Sequence, residues 1–149
     1  MTLLDDHRDH GHDPQTVDAP RLVTELPGPN ARAVIERDER HASTSLTRVY
    51  PLVVERGDGA VITDVDGNTF LDFNAGIAVN AAGHSHPAVN AAIHAQVDRC
   101  LHYCTSDFYH PVHADLVERL AAVAPDGMGA ARTFLANSGT EAVEGALKL

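Results

Sequence analysis

The sequence predicts an α/β chain: an N-terminal segment carrying a small β-meander, then the start of a larger α/β layer. Three observations carry this expectation. Between residues 51 and 73, short β-rich runs alternate with Gly- and Asp-containing connectors. From Pro87 onward the apolar period lengthens to helical spacing. At residues 132–140 a short apolar run enters a Ser-Gly-Thr turn that opens another helical pattern, one strand–turn–helix unit. The chain has 149 residues, 44% hydrophobic and 21% charged, which is one domain's worth of material. No window approaches the ~20 apolar residues a membrane-spanning helix needs. Asp5 and Asp6 stand where a secretory signal has a basic end and an apolar core, so a cytoplasmic location is expected.

The elements divide the chain into three parts. Residues 1–25 read as a polar flexible tail, in which His7, His10 and His12 alternate with acids and no apolar periodicity would hold the imidazoles. Residues 26–86 form the N-terminal segment. Leu26-Pro27-Gly28-Pro29-Asn30 is a rigid turn, and residues 31–40 suit a short charged helix with Val34 and Ile35 inward. The meander follows as Leu52–Glu55, Val61–Asp64 and Phe70–Phe73, connected by Gly57-Asp58-Gly59 and Asp66-Gly67-Asn68. Asp64 and Asp66 are expected in solvated turns. Asp72 to Asn80 then runs through a small-residue loop to Gly83-His84-Ser85-His86, a turn before a Pro-initiated helix.

Residues 87–149 are the third part. Val89, Ile93 and Val97 make one helical stripe; Val112, Leu116, Leu120 and Val123 make a second, with Asp115 and Arg119 at ion-pairing i,i+4 spacing. Ala124-Pro125-Asp126-Gly127 ends that helix. Tyr103, Phe108 and Tyr109 lie between the two helices and are expected to pack. Arg132–Leu135 is a strand candidate and Thr140–Leu149 a third helix, with no Gly, Asn or Pro stop after Leu149. A lone strand of this kind has no parallel neighbour. The expectation is an N-terminal piece of a longer protein.

Several functional classes are excluded by chemistry. Asp and Glu number 21 against 11 Lys and Arg, a net charge of −10 that repels phosphate backbones and argues against general nucleic-acid binding. His84, His86, His102, Cys104, His110 and His113 match no structural zinc spacing, so no metal site is assigned. Cys100 and Cys104 imply no disulfide framework. There is no G-x-S-x-G and no nucleophile beside an obvious base.

The positive signal is the turn at Asn137-Ser138-Gly139-Thr140-Glu141. The first N–H groups of the helix it opens have no helical partner and stand at the positive end of the helix dipole. Gly139 lets an anion approach the backbone, and the hydroxyls of Ser138 and Thr140 add donors, so the turn forms a cup for a phosphate group. It lacks the Lys-Ser/Thr of the nucleotide P-loop and the spaced glycines of the dinucleotide fingerprint. A single phosphate on a small cofactor fits better. Ser138 followed by Glu141 is also a capping box, and the two roles draw on the same hydroxyl.

Taken together, these stretches resemble the class III aminotransferases, which belong to the fold type I enzymes that use pyridoxal 5′-phosphate (PLP). The likeness is carried by 26–31, by 50–57 with 64–68, by 70–80 through 83–87, and by Asn137-Ser138-Gly139-Thr140-Glu141-Ala142-Val143-Glu144. It covers roughly residues 26–149 in collinear order and is greatest for the 4-aminobutyrate and acetylornithine aminotransferase-like branch, which includes some racemases. The resemblance implies that Ser138, Gly139 and Thr140 bind the PLP phosphate, and that Ile77 and Phe108 line a substrate pocket, which in the family's homodimers draws on both subunits. It implies transfer of an amino group from an amino acid to a 2-oxo acid. Amino-acid racemization, a decarboxylating relative and a non-catalytic truncated or interaction fragment are the alternatives.

That chemistry needs a lysine to hold the coenzyme aldehyde and a carboxylate at the ring nitrogen. Lys148 is the only lysine in the chain. It lies eight residues past Thr140 on the same helix, ~12 Å behind the cup at 1.5 Å per residue, and therefore points the wrong way. No catalytic residue is assigned within these 149 residues. The resemblance puts the lysine and the carboxylate later in the family's chain.

Overall fold

A computed structural model describes residues 18–126, 128 and 131–149. The histidines at 7, 10 and 12 and Gly127 lie outside the described residues. The elements are α1 (Pro29–His41), β1 (Val54–Asp58), β2 (Val61–Asp64), β3 (Thr69–Leu71), a single turn α2 (Ala75–Ala78), α3 (Pro87–Arg99), α4 (Pro111–Ala122) and α5 (Gly139–Leu147). The chain divides into two compact units, 1–94 and 95–149.

In the first unit the three strands form an antiparallel meander in the order β1-β2-β3. Ile62 pairs with Gly57 on one side and Phe70 on the other. The strands sit later or end sooner than the apolar runs suggested. β1 begins at Val54 and continues through Gly57 and Asp58, leaving Gly59 and Ala60 as the turn, with Gly59 at φ +53°. β3 ends at Leu71, because the Asp72 carboxylate takes the next backbone donors.

The centre of this unit is polar. Asn68 and Asp64 are fully buried. The Asn68 amide oxygen accepts from the N–H groups of Val23 and Thr24 at 2.7 and 3.0 Å. Its nitrogen donates to Thr24 Oγ1 at 2.9 Å and to Asp64 Oδ2 at 2.7 Å. Asp64 Oδ1 accepts from the N–H groups of Asp66 and Asn68. Every lone pair and proton of the Asn68 amide is thereby used, which is the condition for burying it at low cost.

Asp66 has a second task. Its carboxylate accepts from the N–H groups of Asn30 and Ala31, both at 2.9 Å, and so caps α1 from 35 residues away. Gly28, the helix's own N-cap, has no side chain to offer, and a Cβ there would lie 2.3 Å from Asp66 Cγ. The expectation of solvated turn carboxylates is therefore corrected: Asp64 is a buried acceptor and Asp66 a helix cap. Within the expected tail 1–25, Arg21 bridges Thr69 and Val23 and Thr24 bind Asn68, so the part from Asp18 onward is tied to the sheet. Val34 and Ile35 are half-buried and face residues 49–54 across a cleft.

In the second unit α4 and α5 form where the periodicity placed them, but the apolar stripes are not covered. Val112, Leu116 and Leu120 are 50, 44 and 39% exposed. Tyr109 is fully exposed, against the expectation that it packs, whereas Tyr103 and Phe108 meet edge to face with ring centroids 5.0 Å apart. Residues 132–135 form no strand, because nothing pairs with them; Phe134 instead lies against Gly145 of α5. Among the described residues Asp115 and Arg119 form no ion pair; the helical i,i+4 pair is Glu144–Lys148. α3, which runs from one unit into the other, leaves Val89, Ile93 and Val97 about half exposed.

Candidate functional site

Ser138, Gly139 and Thr140 come together at the N-terminus of α5. Ser138 is extended (φ −150°, ψ 159°) and is the N-cap, its Oγ accepting from the Glu141 N–H at 3.2 Å. The Glu141 carboxylate reaches back to accept from the Asn137 N–H at 2.8 Å and from the Ser138 hydroxyl at 3.3 Å. The capping box is thus present, with its return bond displaced by one residue from the usual N-cap N–H.

What remains free defines the cup. The N–H groups of Gly139 and Thr140 and the Thr140 hydroxyl have no hydrogen-bond partner among the described residues. A Cβ placed at Gly139 would meet nothing within 4 Å, so the face over the helix end is open. Two free backbone donors and a helix dipole stand at that space, with the hydroxyls of Ser138 and Thr140 on the residues beside it, a set that suits a dianionic phosphate. Only the Ser138 hydroxyl is engaged, and it needs to turn from Glu141 to serve an anion. Lys148 follows α5 as its C-cap and pairs with Glu144 at 2.5 Å, at the end of the helix opposite the cup.

The other two sequence-singled residues lie in different units. Ile77, in the first, is 84% exposed at the crest of α2. Phe108, in the second, is 54% exposed beside Tyr103, its N–H bonded to the Cys104 carbonyl. Nearby, hydrogen bonding with Ser106 draws the Cys104 thiol below its ordinary range. Among the described residues no three His, Cys, Asp or Glu side chains gather as a metal site. No helix among them is long and apolar enough to cross a membrane.

The sequence placed Asp72, Asn80 and His84 in a small-residue loop and the turn after it, but did not bring them into one polar cluster around α2. His84 Nε2 lies 2.6 Å from Asp72 Oδ2, and His84 Nδ1 lies 3.2 Å from the Asn80 amide nitrogen. The Asp72 carboxyl is held below the usual carboxylate range, first by the hydrogen bond from His84 and then by backbone donors. A signal was available in Gly57 and Gly83: the histidine ring fills the space a Cβ at Gly57 would need, and Gly83 packs on Gly59.

Known proteins place this chain in a lineage. Residues 42–149 match the family model described as aminotransferase class-III. The chain belongs to that family. It is 39% identical over 129 residues to a 4-aminobutyrate aminotransferase of Mycobacterium bovis, covering 87% of this chain and 28% of that protein. It is 40% identical over 129 residues to an acetylornithine aminotransferase of Methanosarcina acetivorans, covering 85% of this chain and 31% of that protein. Among solved structures, an ornithine aminotransferase of Toxoplasma gondii superposes with a TM-score of 0.70 at 31% identity, over 79% of this chain and 26% of that one. That structure has partial occupancy of PLP at its active site. The class III chain described here thus spans less than a third of the length of these relatives, and its α/β N-terminal architecture is theirs.

Proposed function

We propose that this class III chain forms the N-terminal portion of a PLP-dependent aminotransferase that moves an amino group from an amino acid to a 2-oxo acid. In this reading residues 26–86 are the N-terminal segment, 87–149 begin the large domain, and the whole protein works as a homodimer in the cytoplasm. The observation that carries it is the open turn at 138–140, whose free donors fit a coenzyme phosphate, in a chain whose family match spans that turn.

Each residue has a definite part. The Gly139 and Thr140 N–H groups and the Thr140 hydroxyl hold the phosphate, and the Ser138 hydroxyl joins them by leaving Glu141. The helix end supplies fixed positive potential without a lysine or arginine, so the anion is neutralised by aligned dipoles. Glu141 keeps the Asn137 N–H, which fixes the turn while the cup fills. Ile77 and Phe108 present apolar surface to the substrate. When bound, PLP supplies the carbonyl that exchanges the amino group and a ring that draws electron density from the substrate's α-carbon. Lys148 is remote from the cup, so the lysine that holds the coenzyme lies elsewhere in the whole protein.

The test is coenzyme binding by the full-length protein, followed by its visible absorbance. Gly139→Asp places a carboxylate in the cup, and PLP affinity falls by at least about a hundredfold, the loss of several charge-assisted hydrogen bonds. Unchanged affinity overturns the assignment. With coenzyme bound, formation of the oxo acid from the donor supports transamination, whereas inversion of the amino acid without an oxo acid makes the protein a racemase.

A further inference from the structure

Among the described residues, backbone strain concentrates in α2, which holds three of the four non-glycine residues at positive φ; the fourth is Ser85. The hydrogen bonds of α2 are those of a helical turn: the N–H groups of Ala78 and Val79 donate to the carbonyls of Asn74 and Ala75. Its handedness is reversed. φ is +48° at Ala75, +63° at Gly76, +64° at Ile77 and +58° at Ala78. L-residues disfavour this conformation by roughly 1–2 kcal/mol each, and a β-branched residue such as Ile77 is an outlier there. A left-handed turn with three non-glycine residues persists only where its surroundings over-determine it.

Those surroundings are Asp72, Asn74, Asn80 and His84. Asp72 Oδ1 accepts from the N–H groups of Asn74 and Ala75 at 2.9 and 2.8 Å, which starts the turn. The Asn74 side chain accepts from the Ile77 N–H itself at 2.9 Å. At the far end the Asn80 amide lies against Gly76, 3.2 Å from where a Cβ would stand, and donates to His84 Nδ1. Nε2–H then donates a hydrogen bond to Asp72 Oδ2, which closes the ring from the exit of the turn back to its entrance. His84 is itself fixed, because its N–H and carbonyl both pair with Gly59 in the β1–β2 hairpin and its ring packs where Gly57 lacks a Cβ.

We propose that Asp72, Asn80 and His84 are positioning residues that tie α2 to the β1–β2 hairpin and hold Ile77 at the angle at which it meets the substrate. None of the three touches the reacting atoms in this scheme; they act through the shape of α2. The inference rests on the reading of Ile77 as a pocket residue, and the experiment separates the two. A backbone state this costly leaves Ile77 little freedom to move, and where such a side chain walls a substrate, small displacements weaken productive binding.

The experiment uses the full-length holoenzyme and the variants Ile77→Ala, Asn80→Ala, His84→Leu and His84→Gln. KM and kcat for the amino donor are measured, together with hydrogen exchange of the Ile77 to Asn80 amides. Asn80→Ala and His84→Leu are expected to raise KM about tenfold with kcat changed far less, and to speed exchange at Ile77 by a similar factor. His84→Gln retains a donor toward Asp72 and recovers part of both losses. Should His84→Leu fail to fold, Gly76→Ala, which crowds Asn80 and strains the left-handed backbone without removing a polar group, is expected to give the same KM shift. Faster exchange with KM unchanged overturns the inference, and so does an Ile77 amide indifferent to Asn80→Ala. If Ile77→Ala moves KM while the Asn80 and His84 variants do not, only the positioning role is lost. If Ile77→Ala leaves KM and donor preference unchanged, the pocket reading itself is refuted.

Discussion

The two units of this chain satisfy themselves differently. In the first, the buried and half-buried polar groups find their partners inside the unit: Asn68 with Asp64, Thr24 and Val23; Asp66 with α1; Asp72 with His84. In the second, α4 and α5 are correctly begun and correctly capped, yet Leu116, Leu120 and Val143 keep much of their surface in water. A polar knot needs only a few well-aimed groups and can close over 50 residues. An apolar stripe needs area, at roughly 25 cal/mol per Å² removed from water, and that area comes from a neighbouring layer. The polar turns of the first unit are therefore specified within the residues described, whereas apolar side chains of both units, Phe73 and Val79 as much as Leu116, present surface of the kind a larger α/β layer covers.

The sharpest way to break this contrast is Asn68→Ala compared with Leu116→Ser. Removing the Asn68 amide strands the Val23 and Thr24 N–H groups and the Asp64 carboxylate in a buried site. The expected cost is about 2–4 kcal/mol, from several unsatisfied groups at roughly 1–3 kcal/mol each with partial relaxation. Site-resolved hydrogen exchange of the 149-residue chain reads it as faster opening at Thr63, Asp64 and Thr69. Leu116→Ser, on a stripe already wet, changes exchange in α4 by the equivalent of less than about 1 kcal/mol. Equal effects at the two positions would show that the stripe is covered after all.

A smaller effect concerns acid. The Asp72 carboxyl titrates below its ordinary value of 3.8 because the ionised form accepts from His84 and from two backbone N–H groups. A carboxyl lowered in the folded state binds fewer protons there than when unfolded. Its stabilising contribution is thus complete above the ordinary value and disappears as the pH falls through the depressed one. Asp72→Asn is expected to flatten the stability profile below about pH 4, with α2 already loosened at neutral pH. An acid limb of unchanged slope in circular dichroism would remove Asp72 from the list of groups that hold the turn.

How much of this was legible in the sequence follows the same division. Local periodicity located α1, α3, α4 and α5 and the three strands, because helical and strand spacing are written in neighbouring residues. The Ser138–Glu141 cap was legible because its partners are three residues apart. Long-range polar partnerships were not. That Asp66 caps a helix 35 residues earlier, or that Asn68 ties Val23 to the sheet, depends on topology, and the bare motif reads as an ordinary hairpin turn. The handedness of α2 was equally hidden. Asn74-Ala75-Gly76-Ile77 contains one glycine and gives no local reason for four successive positive φ values; the reason is the ring through Asp72, Asn80 and His84. The strand expected at 132–135 failed for the complementary reason, since a parallel strand exists only with its neighbour.

The smallest effect expected is at Lys148. As the one lysine in the sequence, it is the natural suspect for the group that holds the coenzyme aldehyde, and the structure gives it a different occupation. Its ammonium pairs with Glu144 on the exposed face of α5, with side chains 72 and 60% exposed. A surface i,i+4 pair of this kind is worth roughly 0.3–0.5 kcal/mol, and the reversed order of Glu and Lys along the helix does not arise here, since the acid precedes the base. Lys148→Ala in the full-length protein is therefore expected to shift stability by no more than about 0.5 kcal/mol. It should also leave intact the covalent adduct trapped when the holoenzyme is reduced with borohydride. Mapping that adduct by peptide mass decides the matter: label on the peptide containing Lys148 would place the coenzyme's carbonyl at the C-terminal end of α5, contradicting a phosphate cup at its N-terminal end, whereas label on another lysine leaves Ser138, Gly139 and Thr140 as the anchor and Lys148 as a surface charge.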